Sequence, residues 1–418
     1  MGNYRYYGET TSVYCLFFII LIMLSYPSES GNRFTESKKS QVEPALQPLA
    51  INTSPGPEYS DENRNWQGIP GIERTPNGRL WATWYSGGSG EVVENYILLL
   101  FSDDDGQSWS EPHLVVDDPT GNIRTFDPVV WMDPRDRLWL FWAQSEGLYD
   151  GRAGVWAIVS DNPDAGNPDW SKPRRLTDGI MMNKPIVLSD GEWLLPAAIW
   201  DREPRRKDMT DIRHPNVYVS TDEGDSWYLR GSADVDTGGE ADEHMLVERK
   251  DGSLWMLYRT GVDTIGIGEV FSFDSGRTWE PEGGQDTGIP HPATRFHIQR
   301  LDSGRLLLIY HYRFEDHEEP PYPKIEGRTH LTASLSDDDG KTWYGHLLLD
   351  SGRGELVTYP DAVEGDNGKI YVIYDRSRRG TGEILMAAFT EKDIRAADFI
   401  SDEAESIITI NALDSNSN

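Results

Sequence analysis

The chain has 418 residues, with 39 Lys and Arg against 70 Asp and Glu and a formal net charge of −31 at pH 7. No basic run of useful length interrupts this acidity, which argues against a nucleic-acid partner. The 15 Trp, 19 Tyr and 40 Gly suit many short strands joined by tight turns, in one large all-β domain.

An apolar run from Cys15 to Tyr26 opens the chain and is too short for a comfortable membrane span. Small residues at Ser28 and Ser30 follow it. Residues 1–30 read as a secretory signal peptide, residues 31–50 as a flexible polar leader, and residues 51–412 as the folded domain. The expected location is secreted or periplasmic, without stable membrane insertion after cleavage. Cys15 is the only cysteine, so the mature chain has no disulfide, no Cys nucleophile and no Cys-ligated metal.

The pattern Ser-x-Asp-x-Gly-x-x-Trp then recurs at Ser102–Trp109, Ser220–Trp227, Ser272–Trp279 and Ser336–Trp343, with a stretched copy at Ser160–Trp170. Its Asp accepts backbone N–H bonds within a turn, its Gly takes positive φ, and its Trp packs under the turn. The boxes fold hairpins and do no chemistry. A second pattern runs in step with them: an apolar strand, a polar turn and a second apolar strand. Its copies are Ile69–Trp84, Phe126–Trp142, Lys184–Ala198, His244–Arg259, Phe296–His311 and Tyr359–Asp375. A third strand leads into each box and a fourth leaves it. Four strands per unit and six units predict a six-bladed β-propeller with antiparallel blades. The final blade is expected to be closed by a strand near Leu49–Thr53 or near Ser406–Ile410. The polar turns and the boxes are expected at opposite ends of their strands.

In this topology strand one begins, and strand two ends, at one rim of the central channel, where propeller ligands bind. Blade one places Trp66, Gln67, Glu91 and Glu94 there, and blade two Arg124, Asp127, Gln144, Asp150 and Arg152. Blade three adds Asn183, Lys184, Asp201 and Arg202. Blade four adds Glu240, Glu243, His244 and Arg259. Blade five adds Arg295, His297, His311, Arg313 and Arg328, and blade six Tyr359, Asp361, Asp375 and Arg376. Arg and His gathered in an acidic chain point to an anionic or hydroxyl-rich ligand, since a planar guanidinium makes two parallel bonds to a carboxylate. The competing explanation is that these groups pair with neighbouring Asp and Glu to staple the blades. The three His are not spaced as a metal site, and no metal or cofactor is expected. The acidic stretch Glu315–Glu319 reads as a solvated loop long enough to form a lid.

These residues resemble the sialidase (neuraminidase) superfamily of Asp-box propellers over roughly residues 60 to 395. The resemblance runs through Gly68-Ile69-Pro70 at the start of blade one and Glu243 to Arg259 in blade four. It continues through Arg328, eight residues before the Ser336 box, and through Tyr359 and Asp375 in blade six. It implies a Tyr359 nucleophile whose proton passes to Glu243, Arg259 and Arg328 as arms of a carboxylate-binding arginine triad, and Glu91 or Glu94 in place of the family's acid/base Asp. A Tyr with an ordinary pKa of about 10 needs such a base beside it. The chain departs from the family at Gly68, which stands where the first triad arginine belongs. Either Arg124, Lys184, Arg295 or Arg376 replaces that cation, or the sugar is not a sialic acid.

The function expected is a secreted sialidase-like exo-glycosidase releasing a terminal acidic sugar from extracellular glycans. Tyr359, Glu243, Glu91 and Asp375 are the candidate catalytic residues. Arg259, Arg328, Arg124, Asp127, Lys184, His244, Arg295, His297, His311, Asp361 and Arg376 are the candidate substrate-binding residues. An α-L-rhamnosidase or polysaccharide lyase on the same scaffold, and a non-catalytic glycan-binding propeller, remain open.

Overall fold

The computed structural model describes residues 43–149, 154–200, 214–235, 243–261, 266–312 and 327–413. Among them stand six antiparallel sheets, five with four strands and one with five, and a single α-helix at Glu391–Ala396. The expected six-bladed propeller is present. Blade one comprises Gln67–Arg74, Leu80–Ser86, Tyr96–Ser102 and Leu114–Val116, and blade six Val357–Glu364, Lys369–Arg376, Glu383–Thr390 and Glu405–Ala412.

The repeated boxes build the turns between third and fourth strands. In the first, Asp104 Oδ1 accepts the Ser102 hydroxyl at 2.8 Å and the Ser108 N–H at 2.8 Å. Asp105 and Gly106 take φ of 64° and 89°, which explains the glycine. The stretched copy makes the same turn with Asn162, whose Oδ1 accepts the Asp169 N–H at 2.8 Å. The polar turns between first and second strands share the face of the boxes, contrary to the expectation that they lie at opposite ends. Arg79 in the first such turn forks onto Asp103 at 2.6 and 2.9 Å, and the Lys250 N–H bonds Asp339 of the fourth box at 2.9 Å. Two antiparallel hairpins in succession return the chain to the same end, so the opposite rim is left to the site.

Of the two strands expected to close the final blade, the C-terminal one does so. Ile51–Asn52 adds a fifth, outermost strand to blade one by pairing with Val115 and Val116, while Glu405–Ala412 supplies the outer strand of blade six. Among the described residues no strand is exchanged between first and last blades. Side chains join them instead: the Gln67 amide donates to the Gly382 carbonyl at 2.7 Å and to Asn411 Oδ1 at 2.8 Å. Residues 43–50, read from sequence as part of a flexible leader, lie against blade two. Ala45 is buried beside Ile123, and Gln144 donates to the Ala45 carbonyl at 2.7 Å. The apolar run Cys15 to Tyr26 lies outside the described residues, and among those described no helix is long and apolar enough to cross a membrane.

The centre of the ring is polar. Asp361 of blade six, 2 % exposed, accepts the Ile72 N–H of blade one at 2.9 Å. Its carboxylate lies 3.6 Å from Lys184 of blade three and 3.6 and 3.1 Å from Arg295 and His297 of blade five. Burial pushes the Asp361 carboxyl upward, but Lys184, His297 and Arg295 outweigh it and hold the group far below the usual range. Removing one partner from a buried charge network strands the others. Asp361→Ala is expected to lower unfolding free energy by about 3–5 kcal/mol, read by urea denaturation, and Asp361→Asn by less. A loss below about 1 kcal/mol for Asp361→Ala would show that the blades do not depend on this carboxylate.

Candidate active site

A repeated bulge positions the groups above this network. In blades one, two and six the first strand carries a residue before proline in the left-handed region: Ile69, Asp127 and Tyr359, with φ of 57°, 48° and 55°. At each, pairing with the second strand slips by one residue, between Gly68 and Gly71, Phe126 and Val129, and Thr358 and Asp361. Proline cannot donate to the ladder, so the break costs no ladder bond there, and it takes one side chain out of the alternation. Positive φ in Ile69 and Tyr359 is strained backbone, held by its surroundings. The Ile69 N–H donates to Asp375 Oδ2 at 2.8 Å, and the Thr358 hydroxyl bonds the other Asp375 oxygen.

Tyr359 thereby meets residues from across the channel. Its hydroxyl donates to Glu243 Oε1 at 3.1 Å, and Arg259 Nη1 lies 2.6 Å from the same oxygen and 3.4 Å from the hydroxyl. Asn183 holds the backbone of this corner by donating to the Glu243 and His244 carbonyls at 3.2 and 2.9 Å. Burial, with Glu243 beside it, pushes the Tyr359 phenol up to about 12. The phenol is therefore neutral at ordinary pH, and Glu243 is the group in reach to take its proton.

Two more guanidinium groups flank the ring, Arg328 at 5.9 Å and Arg378 at 4.7 Å from its centroid. Arg328 is 6 % exposed, donates to the Ala293 carbonyl and has no carboxylate within ion-pair distance among the described residues. Burial lowers its pKa, and neighbouring Arg259 and Arg378 add to that, against partial compensation by Tyr359 and Glu243. A buried, uncompensated cation of this kind calls for an anion.

Arg378 was not among the sequence candidates. It lies beyond Arg376, and Ser377 between them adopts φ of 52°, which turns the chain back toward the channel. Its Nη1 is 3.6 Å from Glu91 Oε1, and Glu91 Oε2 accepts the Tyr149 hydroxyl at 3.0 Å. A run of three arginines in four residues after strand two of blade six is the signal in the sequence; which of them faces the site depends on Ser377. Arg376 points elsewhere, forking onto Glu383 at 2.8 and 3.0 Å and reaching Asp350 at 2.9 Å.

The remaining candidates divide by depth. Lys184, Arg295, His297 and Asp361 bind one another beneath the Tyr359 cluster. His244 faces the Asn216 carbonyl at 2.9 Å, and His311 the Thr329 carbonyl at 2.9 Å while its ring lies tilted against His291. Arg124 is fully buried, bonded to Asn95 and the Leu148 carbonyl and packed 4.1 Å from the Phe126 ring centroid. Asp127 lies beside it, and the fields of Glu91 and Glu243 reach it. Both Asp375 oxygens are occupied by the Ile69 N–H and the Thr358 hydroxyl, so this residue positions the bulges. Asp150, Arg152, Asp201, Arg202, Glu240, Arg313 and the Glu315–Glu319 loop lie outside the described residues. A cavity of about 1080 Å³ opens between blades one and six, lined by Arg64, Trp66, Glu91, Glu355, Arg378 and Arg379 among others. It shares Glu91 and Arg378 with the cluster, so the two spaces adjoin.

Burial pushes the Asp127 carboxyl up to about 8, despite Arg124. Between pH of about 4 and 8 the unfolded chain has released this proton while the folded chain keeps it. Its contribution to stability is thus present in acid and lost as pH rises to 8. Asp127→Asn is expected to be more stable than the parent at pH 8, with the gap shrinking toward pH 4.5 by at most about 1.4 kcal/mol per unit. Urea unfolding at both pH values checks this; a gap independent of pH would contradict it.

Comparison with known proteins adds to this geometry. Residues 77–372 match the model of the BNR repeat-like domain family. An anhydrosialidase of Macrobdella decora is 32 % identical over 146 residues, 34 % of this chain and 16 % of that protein, so the match spans a small part of the relative. A protein of unknown function from Dyadobacter fermentans superposes with a TM-score of 0.59 at 19 % identity, over 83 % of this chain and 98 % of its own. The intramolecular trans-sialidase of Ruminococcus gnavus, in complex with oseltamivir carboxylate, does so with 0.57 at 14 %, over 81 % and 97 %. At these identities the superpositions speak for the fold.

Proposed function

Because the chain belongs to the BNR repeat-like domain family, we propose that it is a sialidase-like exo-glycosidase acting on a terminal acidic sugar of extracellular glycans. The observation that carries this is a neutral, buried Tyr359 bonded to Glu243 at 3.1 Å, with Arg328, which has no carboxylate within ion-pair distance among the described residues, beside its ring. The apolar run at the N-terminus supports export.

The chemistry follows from charge. An anomeric carbon that bears a carboxylate repels a carboxylate nucleophile, and a neutral phenol avoids that repulsion. The sugar carboxylate sits against Arg328 and Arg259. The Tyr359 oxygen attacks the anomeric carbon and its proton passes to Glu243, while the glycosidic C–O bond breaks. Glu91 gives a proton to the departing oxygen. Water, deprotonated by Glu91, then cleaves the tyrosyl–sugar bond, and Glu243 returns the proton to Tyr359. The lyase and rhamnosidase alternatives would use channel histidines. His244 and His297 are instead engaged with the Asn216 carbonyl and Gln299.

The test is sugar release by the purified chain from aryl glycosides and oligosaccharides with sialic acid, uronic acid and rhamnose termini, scoring both the free sugar and its internal anhydro form. Tyr359→Phe and Glu243→Gln are each expected to lower kcat by at least about 10²–10⁴. Full activity in both variants would overturn the assignment.

A further inference from the structure

The first position of the arginine triad is vacant in sequence, yet its space is full. A Cβ built on Gly68 would fall 2.2 Å from Arg378 Cδ and 2.8 Å from its Cγ. The backbone at Gly68 needs no glycine, since its φ is not positive. The absence of a side chain there is a matter of room: the Arg378 stem lies where any side chain at 68 would begin. The guanidinium this stem delivers stands 4.7 Å over the Tyr359 ring, on the side of Glu91, and its buried Nη1 has no hydrogen-bond partner. Arg259 and Arg328 complete the arc around the same tyrosine. Glu243 is within ion-pair distance of Arg259, and Glu91 of Arg378 at 3.6 Å; Arg328 has no such partner among the described residues. Asp375 also lends its field to Arg378, so within the arc Arg328 is the cation without a carboxylate of its own among the described residues.

We propose that Arg378 is the third carboxylate-binding arm of this site, supplied by the last blade through the space left open at Gly68, and that Gly68 and Arg378 act as a matched pair selecting a sugar acid. This deepens the glycosidase reading and rests on it for the chemical steps after binding. It also gives Glu91 two neighbours in one place: the cation that holds the sugar acid and the departing oxygen.

Binding and turnover are measured separately. The full mature chain is titrated calorimetrically with N-acetylneuraminic acid and D-glucuronic acid, each against its methyl ester. The wild type is expected to prefer at least one acid over its ester by about tenfold or more. Arg378→Ala is expected to remove most of that preference while changing ester binding less than about threefold. Gly68→Ala, which displaces the same stem, should do likewise, and the double variant should lose no more than either single one. Retention of the acid preference in Arg378→Ala overturns the proposal. So does additivity of the two substitutions, or a wild type that treats acid and ester alike. An acid preference that depends on Arg378, without sugar release from any substrate, would sustain this inference and remove the glycosidase reading instead.

Discussion

One buried carboxylate ties four of the six blades together. Asp361 is taken from water and stabilised by cations and an N–H group delivered from blades one, three and five. None of those groups is its neighbour in sequence, so the network exists only when the ring is closed. In an isolated blade Asp361, Lys184 and Arg295 would face water, and burying them takes the partners that the closed ring supplies. The network thus couples blades that share no backbone ladder, and it forms the floor on which the Tyr359 cluster stands. The competing explanation for a polar channel, that its charges staple blades, describes this lower layer well.

The upper layer differs in one respect: one of its cations, Arg328, has no carboxylate within ion-pair distance among the described residues. Arg259 has Glu243, Arg378 has the field of Asp375 and Glu91 at a longer distance, and Arg328 has a carbonyl. Asp127, which could have balanced a cation, is held in its neutral form by burial. Guanidinium groups gathered in a cleft of a protein with formal charge −31 attract an anion locally against the overall field. The strained residues lie in the same place. Ile69 and Tyr359 keep left-handed backbone because Asp375 and Thr358 tie the bulges of blades one and six together.

Much of this was legible in the chain, and the reasons are local. The Asp boxes and the polar turns work through hydrogen bonds within eight residues, so their spacing reveals hairpins, blades and blade number before any long-range contact is known. Tyr359, Glu243, Arg259 and Arg328 were placed on one rim because strand direction alternates predictably along a hairpin. Lys184, Arg295 and His297 were placed on the same rim, but depth in the channel depends on where each strand starts relative to its bulge. Strand position points to Arg376 and leaves Arg378 unnamed, because nothing in the residue types announces left-handed backbone at Ser377.

The sequence by itself therefore determined the repeating unit, its number and the residue types that face the channel, since turn chemistry and strand period act over short distances. Only the tertiary structure decided how the ring closes, which charges cancel, and that the space over Gly68 belongs to Arg378. Those outcomes depend on residues about 310 positions apart meeting across the seam between first and last blades, and no local pattern encodes that meeting.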